Sequence, residues 1–254
     1  MQPKYRFNPS LLGKFQDLID SDLLWEKFYG GSEEPKYTPE EFYFKQEQEL
    51  LDAINRVEKE PSEAASKGTA LNAIVDSIVA GEMDGEDTGS DGGFFTEWDG
   101  FEFTFSPELC IGLADHFKDA ICQHLCEAEI QTSFGPVILY GYADYIQRDT
   151  VFDLKSTSEY SYGKFARGWQ KDLYPYCLVE SGEMADVSGF EYTVALLSGG
   201  NSRNPVISGT IYREWYNYSH EDAKARLRGV SESFILWIEK HREEIHHKRI
   251  FNQI

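Results

Sequence analysis

The stretch 137–156, VILYGYADYIQRDTVFDLKS, contains the pattern that decides the fold. Two apolar segments flank the polar residues 147–150, which favour a tight turn. A reversal there places Asp144 directly opposite Asp153. Alternate side chains of a strand share one face, so Lys155 projects from the same side as both carboxylates. The sequence therefore predicts a β-hairpin with two acids and one ammonium group on a single face.

Two carboxylates that face each other destabilise a pair of strands unless a cation lies nearby. The flanking residues are apolar, and burying an unpaired charge is costly. Mg²⁺ is a hard cation that prefers carboxylate and carbonyl oxygens. The alternative is a solvated charged face on which Asp144 forms an ordinary ion pair with Lys155. Of the two, we favour a metal site.

The preceding segment extends this pattern. Residues 127–134 form a predicted strand that is joined to the next strand by Gly135-Pro136. If those two residues make the turn, Glu129 lies opposite Tyr142 and one diagonal step from Asp144. Glu129 is therefore predicted to be a third carboxylate at the metal site.

Composition limits the classes of protein to be considered. The chain has 254 residues, is 41% hydrophobic, and can bury a substantial core. No apolar run approaches the roughly 18 residues of a membrane span, and the first residues lack a signal-peptide pattern. We therefore expect a cytoplasmic protein that does not contact membranes. The four cysteines form no C-x-x-C pair, and Cys122 and Cys126 fit a helical pattern of core residues.

The charge is strongly acidic. A formal net charge of −20 argues against a protein that coats nucleic acid, because phosphate binding depends on Lys and Arg. Cations are nevertheless concentrated near the hairpin, where a basic strip could contact DNA at one cleft. This strip consists of Arg148, Lys155, Lys164, Arg167 and Lys171.

The fold class predicted from the element order is α/β (α+β), with a central mixed sheet, a three-strand antiparallel meander and flanking helices. One domain is expected over 1–254, with a helical N-terminal extension (1–63), a core (64–218) and a C-terminal helix (219–254). Residues 81–93 are acidic and glycine-rich, which predicts a mobile loop. The aromatic hairpin at 96–105 is expected to pack on the core rather than to stack on a substrate base. The predicted helices cover 11–28, 38–58, 64–80, 106–126, 159–179 and 219–247, and the remaining strands cover 127–134, 137–147, 150–156, 189–197 and 206–218.

Three motifs in order resemble those of the PD-(D/E)XK nuclease superfamily, especially its RecB-like and lambda-exonuclease-like branch. Residues 141–146 (GYADYI) resemble the G-x-x-D motif, 153–157 (DLKST) resemble D-x-K-(S/T), and 170–174 (QKDLY) resemble Q-x-x-x-Y. Residues 68–72 (GTALN) resemble the upstream G-T-x-x-H element, except that Asn72 stands where histidine is usual. The resemblance implies a restriction-endonuclease-like core.

The resemblance also implies roles for individual residues. Asp144, Asp153 and the Leu154 carbonyl would hold one or two Mg²⁺ or Mn²⁺ ions, with Glu129 as a further acid. Lys155 would orient the attacking water and offset charge on the phosphorane. No iron–sulfur cluster is expected, because only Cys177 follows Tyr176. The remaining expected site residues are Gln170 and Tyr174, which support catalysis, and Arg167, Lys164, Ser156, Thr157 and Asn72, which contact substrate.

Helical geometry independently relates three of these residues. Gln170 and Tyr174 are four residues apart, and Arg167 would lie one turn earlier on the same helix face. The alternative is a helix packed by its apolar residues, with these polar residues simply facing outward. We favour a role at the active site.

These observations lead to three hypotheses. The first is a metal-dependent DNA nuclease, with an exonuclease favoured, that acts on DNA ends in recombination, repair or phage DNA metabolism. It would work as a homo-oligomer or with a recombination protein as partner. The second is a nuclease-fold scaffold that binds DNA or protein without turnover. The third is an acidic decoy that imitates DNA. Exonuclease or endonuclease action, strand polarity and preference for DNA or RNA are left open.

Overall fold

The computed structural model describes residues 2–83 and 92–253. Most of the predicted mobile loop at 81–93 therefore lies outside the described residues. Within them are seven α-helices and eight strands around a mixed sheet, which confirms the predicted fold class. The elements are β1 (Tyr5–Phe7), α1 (Pro9–Ile19), α2 (Ser21–Tyr29), α3 (Pro39–Asn55), α4 (Glu63–Val79), β2 (Phe94–Trp98), β3 (Phe101–Phe105), α5 (Pro107–His116), β4 (Ile121–Thr132), β5 (Gly135–Gln147), β6 (Thr150–Thr157), α6 (Gln170–Glu180), β7 (Gly189–Ser198), β8 (Val206–Asn217), α7 (His220–Lys240) and a short 3₁₀ helix (Lys248–Phe251).

The sheet is organised around β5. One edge of β5 pairs with β4 in an antiparallel ladder along almost its whole length. The other edge pairs first with β1 and then, at its far end, with β6. The sheet continues from β6 through β7, β8 and β3 to β2. Because β6 runs on past the end of its ladder with β5, the two strands form a fork.

The N-terminal region differs from the prediction that it is wholly helical. β1 pairs in parallel with β5, so that Tyr5 is the partner of Val137. The Asn8 side chain caps α1 by accepting a hydrogen bond from the Leu11 amide at 2.9 Å. The predicted capping box of α3 is present, with reciprocal bonds between Thr38 and Glu41.

The helix predicted over 106–126 ends at His116, and β4 begins at Ile121. Cys122 and Cys126 therefore lie on a strand, and their assignment to a helix is wrong. The turn between β4 and β5 also differs, because Gly135 adopts a φ of 102° and pairs with Thr132. This shifts the register by four residues from the predicted one.

Helix α6 begins at Gln170, later than predicted. Residues 158–169 form turns, and Gly163 adopts a φ of 83° that interrupts a helix. The fully buried carboxylate of Glu214 holds this segment against the sheet. It accepts hydrogen bonds from the Tyr160 hydroxyl at 2.5 Å and from the Gly163 amide at 2.8 Å.

Two hydrophobic clusters form the core. One contains residues of β1, α1, α6 and α7, so the first and last helices pack in the same cluster as the sheet. The other contains α4, α5 and the β2–β3 hairpin, and there Phe94, Phe103 and Phe105 are buried. The prediction that the aromatic hairpin packs on the core is confirmed. Among the described residues, no helix combines the length and the apolar character needed to cross a membrane.

Candidate metal centre

The predicted hairpin is formed by β5 and β6 with the predicted register. Tyr145 pairs with Phe152 and Ile146 with Val151. The backbone ladder between β5 and β6 ends after these pairs. Beyond its end, the Asp144 side chain, and not a backbone group of β5, bonds to the backbone of β6. Its Oδ2 accepts a hydrogen bond from the Leu154 amide at 2.8 Å. Asp144 therefore lies at the fork between the two strands.

Asp153 and Lys155 follow on β6, and both project from one face. Asp153 is only 3% exposed. The Lys155 Nζ lies 2.6 Å from Asp153 Oδ2 and forms an ion pair with it. The same Nζ lies 5.8 Å from the centre of the Tyr192 ring, on the neighbouring strand β7. The site therefore contains two carboxylates and one ammonium group.

The electrostatics of the pair reflect this shortage of positive charge. Burial, and then the neighbouring Asp153, raise the pKa of Asp144 to about 8, although the Leu154 amide and Lys155 oppose the shift. Burial also raises the pKa of Asp153, against the lowering effect of Lys155. Ionising both acids at once is therefore costly without a further cation.

A cleft of about 510 Å³ opens between α4 and the β5–β6 fork. Helix α4 can approach β6 closely because residue 68 is glycine. A Cβ at Gly68 would lie 2.7 Å from the Ser156 Oγ. The cleft is lined by Ala64, Ala65, Gly68, Thr69, Asn72, Ala73, Asp76, Trp98, Gln123, Asp144, Leu154, Lys155 and Ser156.

Helix α6 brings Tyr174 to the carboxylates. Tyr174 is buried, and its pKa is raised by burial and by the charges of Asp153 and Asp144. A Cβ at Gly141 would lie 2.7 Å from the Tyr174 ring. The glycine of the G-x-x-D motif and the tyrosine of the Q-x-x-x-Y motif are therefore packed against each other.

Gln170 lies at the start of α6 and contacts the same side of the sheet. Its Oε1 accepts a hydrogen bond from the Tyr192 hydroxyl at 3.4 Å. Tyr192 is the partner of Asp153 across the β6–β7 ladder. Gln170 is thus linked to the site through Tyr192.

Glu129 is not part of this site. It lies opposite Ile138, six residues along β5 from Asp144, or about 20 Å away at strand spacing. Its side chain is exposed, and its backbone carbonyl accepts a hydrogen bond from the Tyr176 hydroxyl at 3.0 Å. The prediction of Glu129 as a ligand is wrong, because it depended on the incorrect β4–β5 register.

The cations of the predicted basic strip are largely paired within the protein. Arg167 precedes α6 instead of lying one turn back on it, and it forms an ion pair with Asp20. Lys171 pairs with Asp172 at 2.9 Å. The Lys164 ammonium donates to Thr157 Oγ1 and to the Glu159 carbonyl, each at 2.7 Å. Of the five expected substrate contacts, the structure places Asn72 and Ser156 in the cleft wall.

Asp76 lines the cleft although the sequence pattern did not predict it as a site residue. It follows Gly68 and Asn72 at four-residue intervals, and all three line the cleft from α4. Its Oδ2 accepts a hydrogen bond from the Gln123 side chain at 3.1 Å. Burial raises the pKa of Asp76, and hydrogen bonds from Tyr145 and Gln123 oppose that shift. The four-residue spacing was a usable signal, but it also fits a solvated helix face.

The donor atoms at the fork fit a hard divalent cation. They are the carboxylate oxygens of Asp144 and Asp153 and the Leu154 carbonyl, and the Asp76 carboxylate lines the same cleft from α4. In the described ranges, no three His, Cys, Asp or Glu side chains already form a closed metal-binding group.

Comparison with known proteins gives no family assignment. No protein-family model matches the chain, and no curated protein matches it. A solved structure titled "Crystal structure of SSO0001" aligns with 93% of this chain and 78% of that chain. The identity is 11% and the TM-score is 0.45, so the likeness carries no argument about function.

Proposed function

We propose that this chain is a Mg²⁺- or Mn²⁺-dependent DNA nuclease of the PD-(D/E)XK type, and specifically an exonuclease that acts on DNA ends. The observation that carries the proposal is the meeting of Asp144, Asp153 and Lys155 at the fork between β5 and β6. The resemblance of the three sequence motifs supports it. A cytoplasmic location and a role in recombination, repair or phage DNA metabolism belong to the same proposal.

Each group has a chemical task in phosphodiester hydrolysis. A bound divalent ion supplies polarisation of the phosphoryl group and a water that is acidic near neutral pH. Asp144, Asp153 and the Leu154 carbonyl would hold it. Lys155, once freed from Asp153, is a point charge suited to a phosphate oxygen or to the attacking water. The Leu154 amide keeps Asp144 in place through its hydrogen bond, and Tyr174 lies close enough for the charges of both acids to raise its pKa.

The proposal is tested by measuring cleavage of linear double-stranded, linear single-stranded and nicked circular DNA while Mg²⁺ or Mn²⁺ is titrated. We expect cleavage of the linear substrates, no cleavage in EDTA, and at least a hundredfold loss of rate in Asp153→Ala and Lys155→Ala. Glu129→Ala is the matched control, because this exposed acid lies far along β5, and it should keep the wild-type rate.

A second candidate function is a scaffold that has the nuclease fold and binds without turnover. The pairing of Arg167 and Lys171 with acids favours it, since few cations are then free for DNA. Asn72, which stands where the motif usually has histidine, also favours the scaffold. DNA binding without metal-dependent cleavage would support the scaffold and refute the nuclease. Cleavage of the nicked circle alone would refute the exonuclease.

A further inference from the structure

Another cavity lies apart from the metal centre, where β1, α1, the carboxyl end of α3, β5 and the 3₁₀ helix meet. Its volume is about 150 Å³, and no described residue lines both this cavity and the cleft. Tyr140 lines it from β5, four residues from Asp144, or about 13 Å away at strand spacing. The cavity is therefore a separate feature of the surface.

The charge of this cavity is opposite to the charge of the protein. The chain has 44 acidic and 24 basic side chains. None of the described lining residues is Asp or Glu, and the charged ones are Arg6, Lys14, Arg56 and Arg249. Cations that converge on one small space focus a positive potential there, and such a potential attracts an anion.

Acids of the protein neutralise two of these cations only in part. Arg6 forms an ion pair with Glu127, but the Arg6 Nε is buried and donates no hydrogen bond. The Lys14 ammonium lies 4.0 Å from Glu49, whose carboxylate is already paired with Lys45 at 2.9 Å. Positive charge therefore remains on the Arg6 and Lys14 side of the cavity.

The other two cations, Arg56 and Arg249, form no ion pair within 2–83 and 92–253. The Arg249 guanidinium lies 5.3 Å from the centre of the Tyr140 ring, and the Arg6 guanidinium lies 4.2 Å from the same centre. One aromatic ring thus holds two guanidinium groups at the cavity. Arg56 ends α3 in the left-handed conformation, with a φ of 55°.

Neutral donors add to the lining. The His247 Nδ1 accepts a hydrogen bond from the Arg249 amide at 3.3 Å, so the proton of the neutral imidazole is assigned to Nε2. His247 Nε2 is then a donor whether or not the ring is charged. Ser10 contributes a hydroxyl group from the first turn of α1. The cavity therefore offers N–H and O–H groups to a ligand that accepts hydrogen bonds.

We infer that this cavity binds a dianionic phosphate group, either as inorganic phosphate or as part of a small phosphate monoester. Guanidinium groups match the oxygens of phosphate with paired N–H donors, and several cations favour a dianion over a single carboxylate. The volume is roughly five times the share of one molecule in liquid water, about 30 Å³, so a phosphate group fits inside and a duplex does not. The inference does not depend on the proposed nuclease function.

The test is titration calorimetry of the full chain with inorganic phosphate and with glycerol 3-phosphate, in EDTA and at an ionic strength held constant with NaCl. EDTA removes divalent ions, so phosphate cannot bind through the metal centre. We expect one saturable site in the wild type and at least tenfold weaker binding in Arg56→Gln and in Arg249→Gln. Arg148→Gln is the matched control, because Arg148 is also an exposed arginine with a φ of 55°, and it should keep the wild-type affinity.

The two probes distinguish the sources of the phosphate group. Equal affinities would show that the phosphate group alone is recognised, and tighter binding of glycerol 3-phosphate would indicate a monoester. If Arg249→Gln fails to fold because Tyr140 loses its partner, Arg56→Gln alone decides, since Arg56 is exposed at the end of a helix. The inference is wrong if the wild type binds neither probe at up to about 10 mM, or if Arg148→Gln weakens binding as much as Arg56→Gln does.

Discussion

Asp144 and Asp153 are two acids whose pKa values are raised at the fork, so the stability of the protein should depend on pH. Two buried carboxylates share a single ammonium group, which pairs with Asp153. The Asp144 carboxylate is stabilised by the Leu154 amide and, at longer range, by Lys155, but burial and the charge of Asp153 still raise its pKa to about 8. Near neutral pH in the absence of metal, Asp144 therefore holds a proton in a large fraction of molecules.

This raised pKa predicts that Asp144→Asn stabilises the metal-free protein at alkaline pH. The folded-state pKa of Asp144 lies above its unfolded value of 3.8, so its contribution to stability is complete below about pH 4 and is lost as the pH rises towards 8. At pH 8.5 we expect the variant to melt higher by at least about 2–4 °C, corresponding to 1 kcal/mol or more. Thermal melts from pH 5 to 8.5 in EDTA measure the difference.

The difference in melting temperature should shrink towards pH 5. Adding Mg²⁺ at pH 8.5 should stabilise the wild type more than Asp144→Asn, because the ion replaces the proton. Asp149→Asn, at the exposed turn of the same hairpin, is the control and should show neither effect. A difference that stays constant across this pH range would contradict the assigned burial of the Asp144 charge.

At this scale the sequence predicted the acids of the hairpin but not all of their neighbours. Strand alternation and a two-residue turn were enough to place Asp144, Asp153 and Lys155 together. Glu129 was misplaced because Gly135 pairs within the strand rather than forming the turn. Asp76 was missed because a helical acid in a cleft has the same spacing as a helical acid in water.

Among the elements, the contact between α4 and β6 depends on Gly68. Gly68→Ala alone should destabilise the protein, because the new methyl group would lie 2.7 Å from the Ser156 Oγ. In a Ser156→Ala background this clash is removed, since the Ser156 Cβ is 4.0 Å away. There the same change should stabilise α4 by about 0.5–1 kcal/mol, the usual advantage of Ala over Gly within a helix.

A double-mutant cycle in urea measures the coupling of these two positions. The sign of the Gly68→Ala effect should reverse between the two backgrounds. Equal effects in both would show that the Ser156 hydroxyl does not limit the approach of the helix.

The contact between β5 and α6 depends on Gly141 in a similar way. Gly141→Ala should lower the free energy of unfolding by about 1–3 kcal/mol, because its methyl group would meet the Tyr174 ring at 2.7 Å and Pro9 at 3.2 Å. Gly13→Ala is a glycine control with open space around the added methyl group in α1, and it should be stabilising. Urea denaturation distinguishes them, and a neutral Gly141→Ala would contradict the tight packing described here.

Elements with strong local signals were predicted well, and those that depend on tertiary partners were not. The capping box of α3 and the Asp99-Gly100 turn are local, and both are present. β1 has three residues, too few to show an alternating pattern. The apolar residues of 121–126 recur at helical spacing, yet Ile121 and Leu125 are exposed on strand β4.

For the molecule as a whole, the dominant property is its charge of −20, combined with the internal pairing of cations near the cleft. Under the proposed function, DNA would approach a surface that repels it. A divalent ion at Asp144 and Asp153 would then supply the positive charge that the side chains do not. Affinity for DNA should then depend on metal more than on Lys and Arg.

We predict that DNA binding requires a divalent ion and responds weakly to monovalent salt. Fluorescence anisotropy with Ca²⁺ in place of Mg²⁺, over 50–200 mM salt, should give a log–log slope of about −2 to −4, which corresponds to few phosphate contacts. In EDTA the affinity should fall at least tenfold. Tight binding in EDTA with a steep salt slope would instead indicate a basic binding surface.

For the whole molecule, the order of helices and strands along the chain predicted the fold class. It did not predict the order of the strands within the sheet. Alternating helices and strands indicate a mixed sheet. That β5 has three strand partners, and that β3 lies beside β8, depend on contacts distant in sequence. Local patterns contain no information about them.

The parallel pairing of β1 with β5 also matters for biosynthesis. Tyr5–Phe7 leave the ribosome well before Val137–Leu139, the backbone segment that they cover. Until then the nascent chain holds an unmatched strand, and loss of residues 5–7 would uncover a hydrophobic edge of β5 that neighbouring molecules can join.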